Sequence, residues 1–259
     1  MMVTNGSRVL GGSPPRTFGD GARMGTVLLA LLFLGLSAWA VPLGFESGPN
    51  FFRTYPPALS AFIQLTNQAI NYGNQTFFGD VPLLPLISGG LGVRAGETLG
   101  EPFALGLGFS LFGAATATEG AWGAQEVKVS LGLTYADLHA LFTFSPIPGV
   151  LWLGAYGGLG WTSLGYSVVF PSLSLSFVPR PGEAVYTGRT FGAGFFLRVA
   201  WPIFPNLTAG AEAGFRFALF PGLSTPDGVP MDLNGDGKPD PLDLSGFWLG
   251  LSFRVEFPL

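Results

Sequence analysis

Taken two residues at a time, the last fourteen positions, Gly246 to Leu259, sort into two faces of different chemistry. Phe247, Leu249, Leu251, Phe253, Val255 and Phe257 fall on one face; Trp248, Gly250, Ser252, Arg254 and Glu256 fall on the other. Successive side chains of a β-strand point to opposite faces, so this segment is a strand with one wholly apolar side. Such a side needs a core or lipid against it.

The same period runs through most of the chain. Ile87, Leu91, Val93 and Ala95 alternate with Ser88, Gly90, Gly92 and Arg94. Phe103, Leu105, Leu107, Phe109 and Leu111 alternate with Ala104, Gly106, Gly108 and Ser110. Val127, Val129, Leu131, Leu133 and Tyr135 alternate with Lys128, Ser130, Gly132 and Thr134. At Asp137 the apolar phase passes to Leu138, Ala140, Phe142 and Phe144, which predicts a bulge or tight turn there. Leu151 to Trp161, Phe191 to Trp201, Leu207 to Leu219 and the closing segment complete seven clear strands. The eighth is expected in the Asp137 phase change, in Ser167 to Phe177, or before Pro85. Runs of about 10 to 13 residues suit tilted membrane strands.

Composition decides between core and lipid. Only 11% of the 259 residues are charged, against about 25% in soluble domains. Forty glycines and twenty-two prolines make a poor helix inventory, and one apolar run alone reaches the length of a spanning helix. A soluble barrel with an apolar interior would need a charged outer face, and the second face here is mainly Gly and Ser. The closing strand, with its terminal aromatic and Pro-Leu, resembles the last strand of bacterial outer-membrane β-barrels. The fold expected is all-β: a closed, antiparallel, up-and-down transmembrane barrel of about eight strands, ten being the alternative. The resemblance implies the cell outer membrane, outer-membrane lipid around the barrel, and recognition of the C-terminal strand by the barrel-assembly machinery.

Residues 1–40 read as a signal peptide. Arg16 and Arg23 precede the apolar run Thr26 to Leu36, and Ala38-Trp39-Ala40 is a small-x-small cleavage pattern. Removing them leaves nine Lys/Arg and fifteen Asp/Glu, a net of −6, which argues against a nucleic-acid partner. The chain has no cysteine, so disulfides and thiolate metal sites are excluded. Residues 41–84 are set apart as an N-terminal segment, and 85–259 as the barrel. Within that segment Pro57 to Tyr72 has helical character, with Leu59, Phe62, Ile63 and Ile70 near one face, proline at the start and Gly73 as the stop. It is expected to cap or plug one end of the barrel. Pro146 to Gly149 and Pro202 to Asn206 are short, proline-rich turns; Pro171 to Gly188 and Pro221 to Ser245 are long polar loops. Short turns belong to the periplasmic end and long loops to the outside. Trp161 and Trp201 are candidates for the aromatic girdles.

Charge assigns the faces. Arg94, Arg198, Arg216 and Arg254 all lie on the Gly/Ser face, with Lys128, Glu212 and Glu256. An arginine facing lipid at the midplane costs about 2–4 kcal/mol, so four would consume the stability of an ordinary domain. The Gly/Ser face therefore points inward, and these seven residues are expected to be lumen charges.

One loop carries a metal-binding pattern. Asp232, Asn234, Asp236, Lys238 (through its carbonyl), Asp240 and Asp243 occupy positions 1, 3, 5, 7, 9 and 12 of a twelve-residue loop with Gly237 at position 6, the arrangement that surrounds Ca²⁺ with oxygen. The loop resembles the calcium loops of dockerin and thrombospondin type 3 repeats; its first nine residues also resemble the loop of integrin-type propeller repeats. It departs from an EF-hand in having Asp rather than Glu at position 12, prolines at Pro239 and Pro241, and no flanking helices. The resemblance implies bound Ca²⁺ that stiffens an external loop.

Enzyme signals are thin. His139 is the single histidine, and Ser145, six residues on, lies about 20 Å away along a strand, too far for a hydrogen-bonded pair. No catalytic residue is assigned, and no enzymatic activity is expected. Three roles compete: a structural or surface-interaction barrel with an unknown external ligand, a small porin with a Gly-lined and Arg/Glu-charged lumen, and a lipid-modifying enzyme.

Overall fold

The computed structural model describes residues 43–99, 102–170 and 182–255. The expected signal peptide and Glu256 lie outside them. The strands are β1 (Leu43–Phe51), β2 (Gly89–Leu99), β3 (Phe103–Trp122), β4 (Gln125–Ile147), β5 (Leu151–Val169), β6 (Gly182–Phe204), β7 (Leu207–Phe217), the two-residue β8 (Leu219–Phe220) and β9 (Leu242–Asp243), which pair with each other, and β10 (Gly246–Val255). Eight of them close into a barrel in the order β1-β10-β7-β6-β5-β4-β3-β2, every neighbour antiparallel. This is the expected fold with the lower of the two strand counts. The eighth strand is β1, before Pro85. The barrel therefore begins inside the segment 41–84, and the boundary at residue 85 is corrected. The one helix among the described residues, α1 (Pro57–Phe77), is an insertion between the first two strands.

Strand lengths divide the barrel into a low wall and a tall wall. β1, β2, β7 and β10 run 9 to 11 residues, whereas β3 to β6 run 19 to 23. The outward face of the shared height is apolar and exposed: Leu105 and Leu107 on β3, Leu138 and Phe142 on β4, Phe191 and Phe195 on β6, Leu249 and Leu251 on β10. On β5 this belt runs from Leu151 to Trp161. Eleven residues tilted by about 40° span about 25 Å, the height of a lipid-facing band. Trp161 and Trp201 both face outward near opposite edges of the belt, as expected of girdle residues.

Above the belt the tall wall exchanges the chemistry of its faces. β4 pairs with β3 without a break from Phe144 to Gln125, and its only register shift with β5 lies between Phe144 and Ile147. Asp137 is thus not a bulge. Odd-numbered residues face inward throughout, from Val127 to Ser145. Around the belt the outward side chains are Ala136, Leu138, Ala140 and Phe142; higher up they are Lys128, Ser130, Gly132 and Thr134, while Val127, Val129, Leu131, Leu133 and Tyr135 are buried inside. The strand leaves lipid for water near Ala136, and its polar and apolar faces trade places without changing register. Lys128 is consequently on the outer surface, beside Glu126, and is not a lumen charge.

The inward apolar face of the tall wall is covered by α1 and by residues 221–245. Leu59, Phe62, Ile63, Ala69 and Ile70 of the helix join Val127, Leu131 and Leu133 of β4, Leu164 and Val168 of β5, and Leu223, Met231, Leu242 and Leu244 of the long loop in one buried cluster. Phe62 meets Tyr166 at 5.3 Å between ring centroids. The helix passes the predicted stop at Gly73 and ends at Phe77, with Phe78 in a left-handed cap. Gly73 is where Trp122, at the tip of the β3–β4 hairpin, lies against the helix, and a Cβ would collide with the indole.

The return from α1 to β2 is held by asparagines. Asn67 bonds both the N–H and the carbonyl of Leu84 (2.7 and 3.1 Å), and Asn74 bonds both of Val81 (3.0 and 2.9 Å). Seven residues of helix rise about 10.5 Å, and three extended residues cover about 10 Å, so the two amides meet the strap in register. Thr118 and Thr116 of β3 bond the carbonyls of Pro82 and Pro85 from the other side. Below, Tyr55 accepts the Ile87 N–H at 3.3 Å, and partial burial raises the phenol above its ordinary pKa despite that bond.

Candidate functional site

Beneath the apolar cap, the lumen at belt height carries a buried charge network. Glu46 of β1 pairs with Arg94 of β2 (3.2 Å) and with Arg198 of β6; Arg198 also pairs with Glu212 of β7. Arg94, Arg198, Glu212, Arg216 and Arg254 all lie on the inward, even-numbered positions, as the cost of a lipid-facing charge requires. Glu46 had no sequence signal. β1 is short, carries Pro49 and two glycines, and shows little alternation.

Aromatic rings complete the network. The Arg94 guanidinium lies 3.9 Å from the Trp248 ring centroid and 4.9 Å from those of Tyr156 and Phe196. Arg216 lies 4.9 Å from Phe112 and 4.8 Å from Tyr135, and donates to the carbonyl of Leu244 (3.2 and 3.1 Å) and to Asn50 (3.4 Å). Arg254 faces Trp152 at 5.8 Å near the short-turn end. Such contacts offset part of the desolvation of a buried cation.

The inward glycines leave no open bore. A Cβ on Gly154 would run into Phe196, one on Gly194 into Tyr156, and one on Gly214 into Trp248. Each glycine is the seat of a ring from a neighbouring strand, so small residues in the sequence mark where large ones are packed. A cavity of about 30 Å³ lies beside Arg94, Arg216 and Trp248.

His139 and Asp137 are two apart on β4, both buried inside, with Nδ1 and Oδ1 2.5 Å apart. Nε2 of His139 has no hydrogen-bond partner and lies over Gly108, where any side chain would displace it. Ser145 is turned away, its hydroxyl within 3.0 Å of the Ile147 carbonyl and 2.9 Å of the Leu151 carbonyl. The structure brings His139 to a carboxylate and not to a serine.

The predicted calcium loop joins β7 to β10 at the long-loop end. Asp232 accepts the N–H groups of Gly235 (2.7 Å), Asp236 (3.1 Å) and Gly237 (2.9 Å). Asn234 accepts from Asp236 (2.8 Å), and Asp236 from Lys238 (2.8 Å). Gly235 and Gly237 hold φ of 75° and 81°, left-handed values that favour glycine. Asp240 is buried and braces the loop base by accepting from Leu233 and from the Asn234 side chain (2.7 and 2.9 Å). Asp243 accepts from the Ser245 N–H at 2.9 Å. No three carboxylates converge among the described residues; the first turn is wound around Asp232, Asn234 and Asp236, while Asp240 and Asp243 serve the base.

No protein-family model and no curated protein sequence matches the chain. Among solved structures it is similar to a major outer membrane protein from Thermus thermophilus, at 14% identity and a TM-score of 0.43 over 84% of this chain and 100% of that one. It is also similar to Ail, the attachment invasion locus protein of Yersinia pestis (12% identity, TM-score 0.40, 84% and 100% covered), and to the outer membrane protein OprG from Pseudomonas aeruginosa (8%, 0.40, 85% and 97%). These likenesses are loose; the strand register and the apolar belt define the fold.

Proposed function

We propose that the chain is an outer-membrane barrel that is closed to solutes and works through the external cap carried by its tall wall, with a structural or surface-interaction role. The apolar belt supports placement in the membrane, and the grouping of long loops, α1 and strand extensions at one end supports turning that end outward. The observation that carries the reading is the filled interior. Arg94 and Arg216 are buried among rings, and above them α1 and the long loop pack on the inward face of β4 and β5. A water-filled path would have to breach that core. Ca²⁺ held by Asp232, Asn234, Asp236, the Lys238 carbonyl, Asp240 and Asp243 would stiffen the loop that shields the core from outside; the spacing of the donors and the turn around Asp232 support this, and converging Asp240 and Asp243 on the ion requires the loop base to shift.

Recordings in planar lipid bilayers test the reading. The purified barrel is expected to give no conductance steps above the lipid baseline. Reproducible steps would make it a porin and overturn the proposal.

A further inference from the structure

The cavity in the charge network has an unusual lining. It lies against Gly48, Gly92 and Gly250 of the low wall, and Arg94, Arg216 and Trp248 look into it. All three side chains are more than nine-tenths buried. Nη1 of Arg94 and Nε1 of Trp248 have no hydrogen-bond partner. These are donors, and a buried donor left unpaired is destabilising.

The carboxylates nearby are already committed. Glu46 also borders the cavity, with its two oxygens on Arg94 and Arg198; Glu212 lies on Arg198 and Asp137 on His139, and each of the three keeps one oxygen without a hydrogen bond. Arg216 makes no ion pair among the described residues, and its bonds go to a carbonyl and an amide. Two guanidinium groups thus border one small space inside the barrel, where like charges repel more strongly than in solution.

We propose that this cavity is a binding site for a small anion such as a halide, held between Arg94 and Arg216 and capped by the Trp248 N–H. A volume of about 30 Å³ holds about two waters or one such ion. The anion supplies the acceptor that Arg94 and Trp248 lack and the counter-charge that Arg216 lacks. It also ties β2, β7 and β10 together, since Arg94, Arg216 and Trp248 come one from each.

Bromide is the probe. Crystals of the whole barrel grown in sodium bromide are expected to show an anomalous peak between Arg94 and Arg216. In detergent, bromide or chloride is expected to raise the unfolding temperature relative to gluconate at equal ionic strength. Gly250→Ala tests the site without removing a charge. A Cβ there comes no closer than 3.6 Å to another atom, so the barrel accommodates it while the cavity shrinks. That variant and Trp248→Phe are expected to fold and to bind halide more than about tenfold more weakly, as loss of a buried polar contact does. Water without anomalous signal in the cavity, or a halide effect unchanged in both variants, would overturn the proposal.

Discussion

Glu46 and Arg198, 152 residues apart in the chain, form an ion pair inside the barrel between β1 and its third neighbour around the ring, β6. Glu46 also holds Arg94, which has no other carboxylate partner among the described residues. Glu46→Ala leaves Arg94 buried and unpaired, and is expected to cost about 3–5 kcal/mol. Urea unfolding in lipid vesicles reads this directly. Lys128→Ala, on the outer surface, is expected to leave the unfolding midpoint unchanged; a loss there equal to that of Glu46→Ala would contradict the placement of both residues.

The exchange of faces along β4 is open to an arginine scan. Leu138→Arg places a charge in the lipid belt and is expected to cost about 2–4 kcal/mol. Ser130→Arg is on the same outward face but above the belt, and is expected to stay within about 0.5 kcal/mol of the parent. Equal costs at the two positions would mean that the belt continues to the top of the strand.

Asn67 and Asn74 hold the strap between α1 and β2. Asn67→Ala strips partners from the Leu84 backbone, and losses of this kind cost about 1–3 kcal/mol. The strap rather than the barrel should loosen. Limited proteolysis is expected to cut within residues 79–88 faster in the variant, while the barrel keeps its heat-modifiable migration in gels. Protection equal to the parent's would show that Thr116 and Thr118 suffice.

Calcium is expected to raise the temperature at which the external loop becomes protease-sensitive, with millimolar ion sufficient for an extracellular-type site. Asp232→Ala combined with Asp236→Ala should abolish the effect. A calcium response that survives the pair places the ion elsewhere.

Strands are legible in the sequence wherever one face meets one medium along the whole run. β10 and the belt part of β3 are of this kind, and so are the inward arginines, because a charge facing lipid is too costly to be ambiguous. β4 misleads for a physical reason. Period two reports that two faces differ but not which medium each meets, and the medium changes at Ala136. Carrying the assignment of one half over to the other draws Lys128 inward. β1 is hidden because its identity depends on pairing with β2 and β10 rather than on its own alternation, and Glu46 is hidden with it. Gly73 resembles a helix stop but serves a close approach to Trp122, information held by the β3–β4 hairpin and not by the helix.

The place of α1 in the chain constrains how the molecule can form. β3 to β7 pair through local hairpins, whereas β1 must find β10 across nearly the whole described chain, with Leu43 opposite Val255. Distant pairings carry the largest loop-closure entropy and form late. The β1–β10 ladder is also interrupted at Gly48 and Pro49, and proline has no N–H to offer. Since β1 leads directly into α1, the strand that closes the seam brings the helix with it. Sealing the wall and filling the mouth are then one kinetic event, and an assembly intermediate with an unsealed seam is also one with an empty mouth.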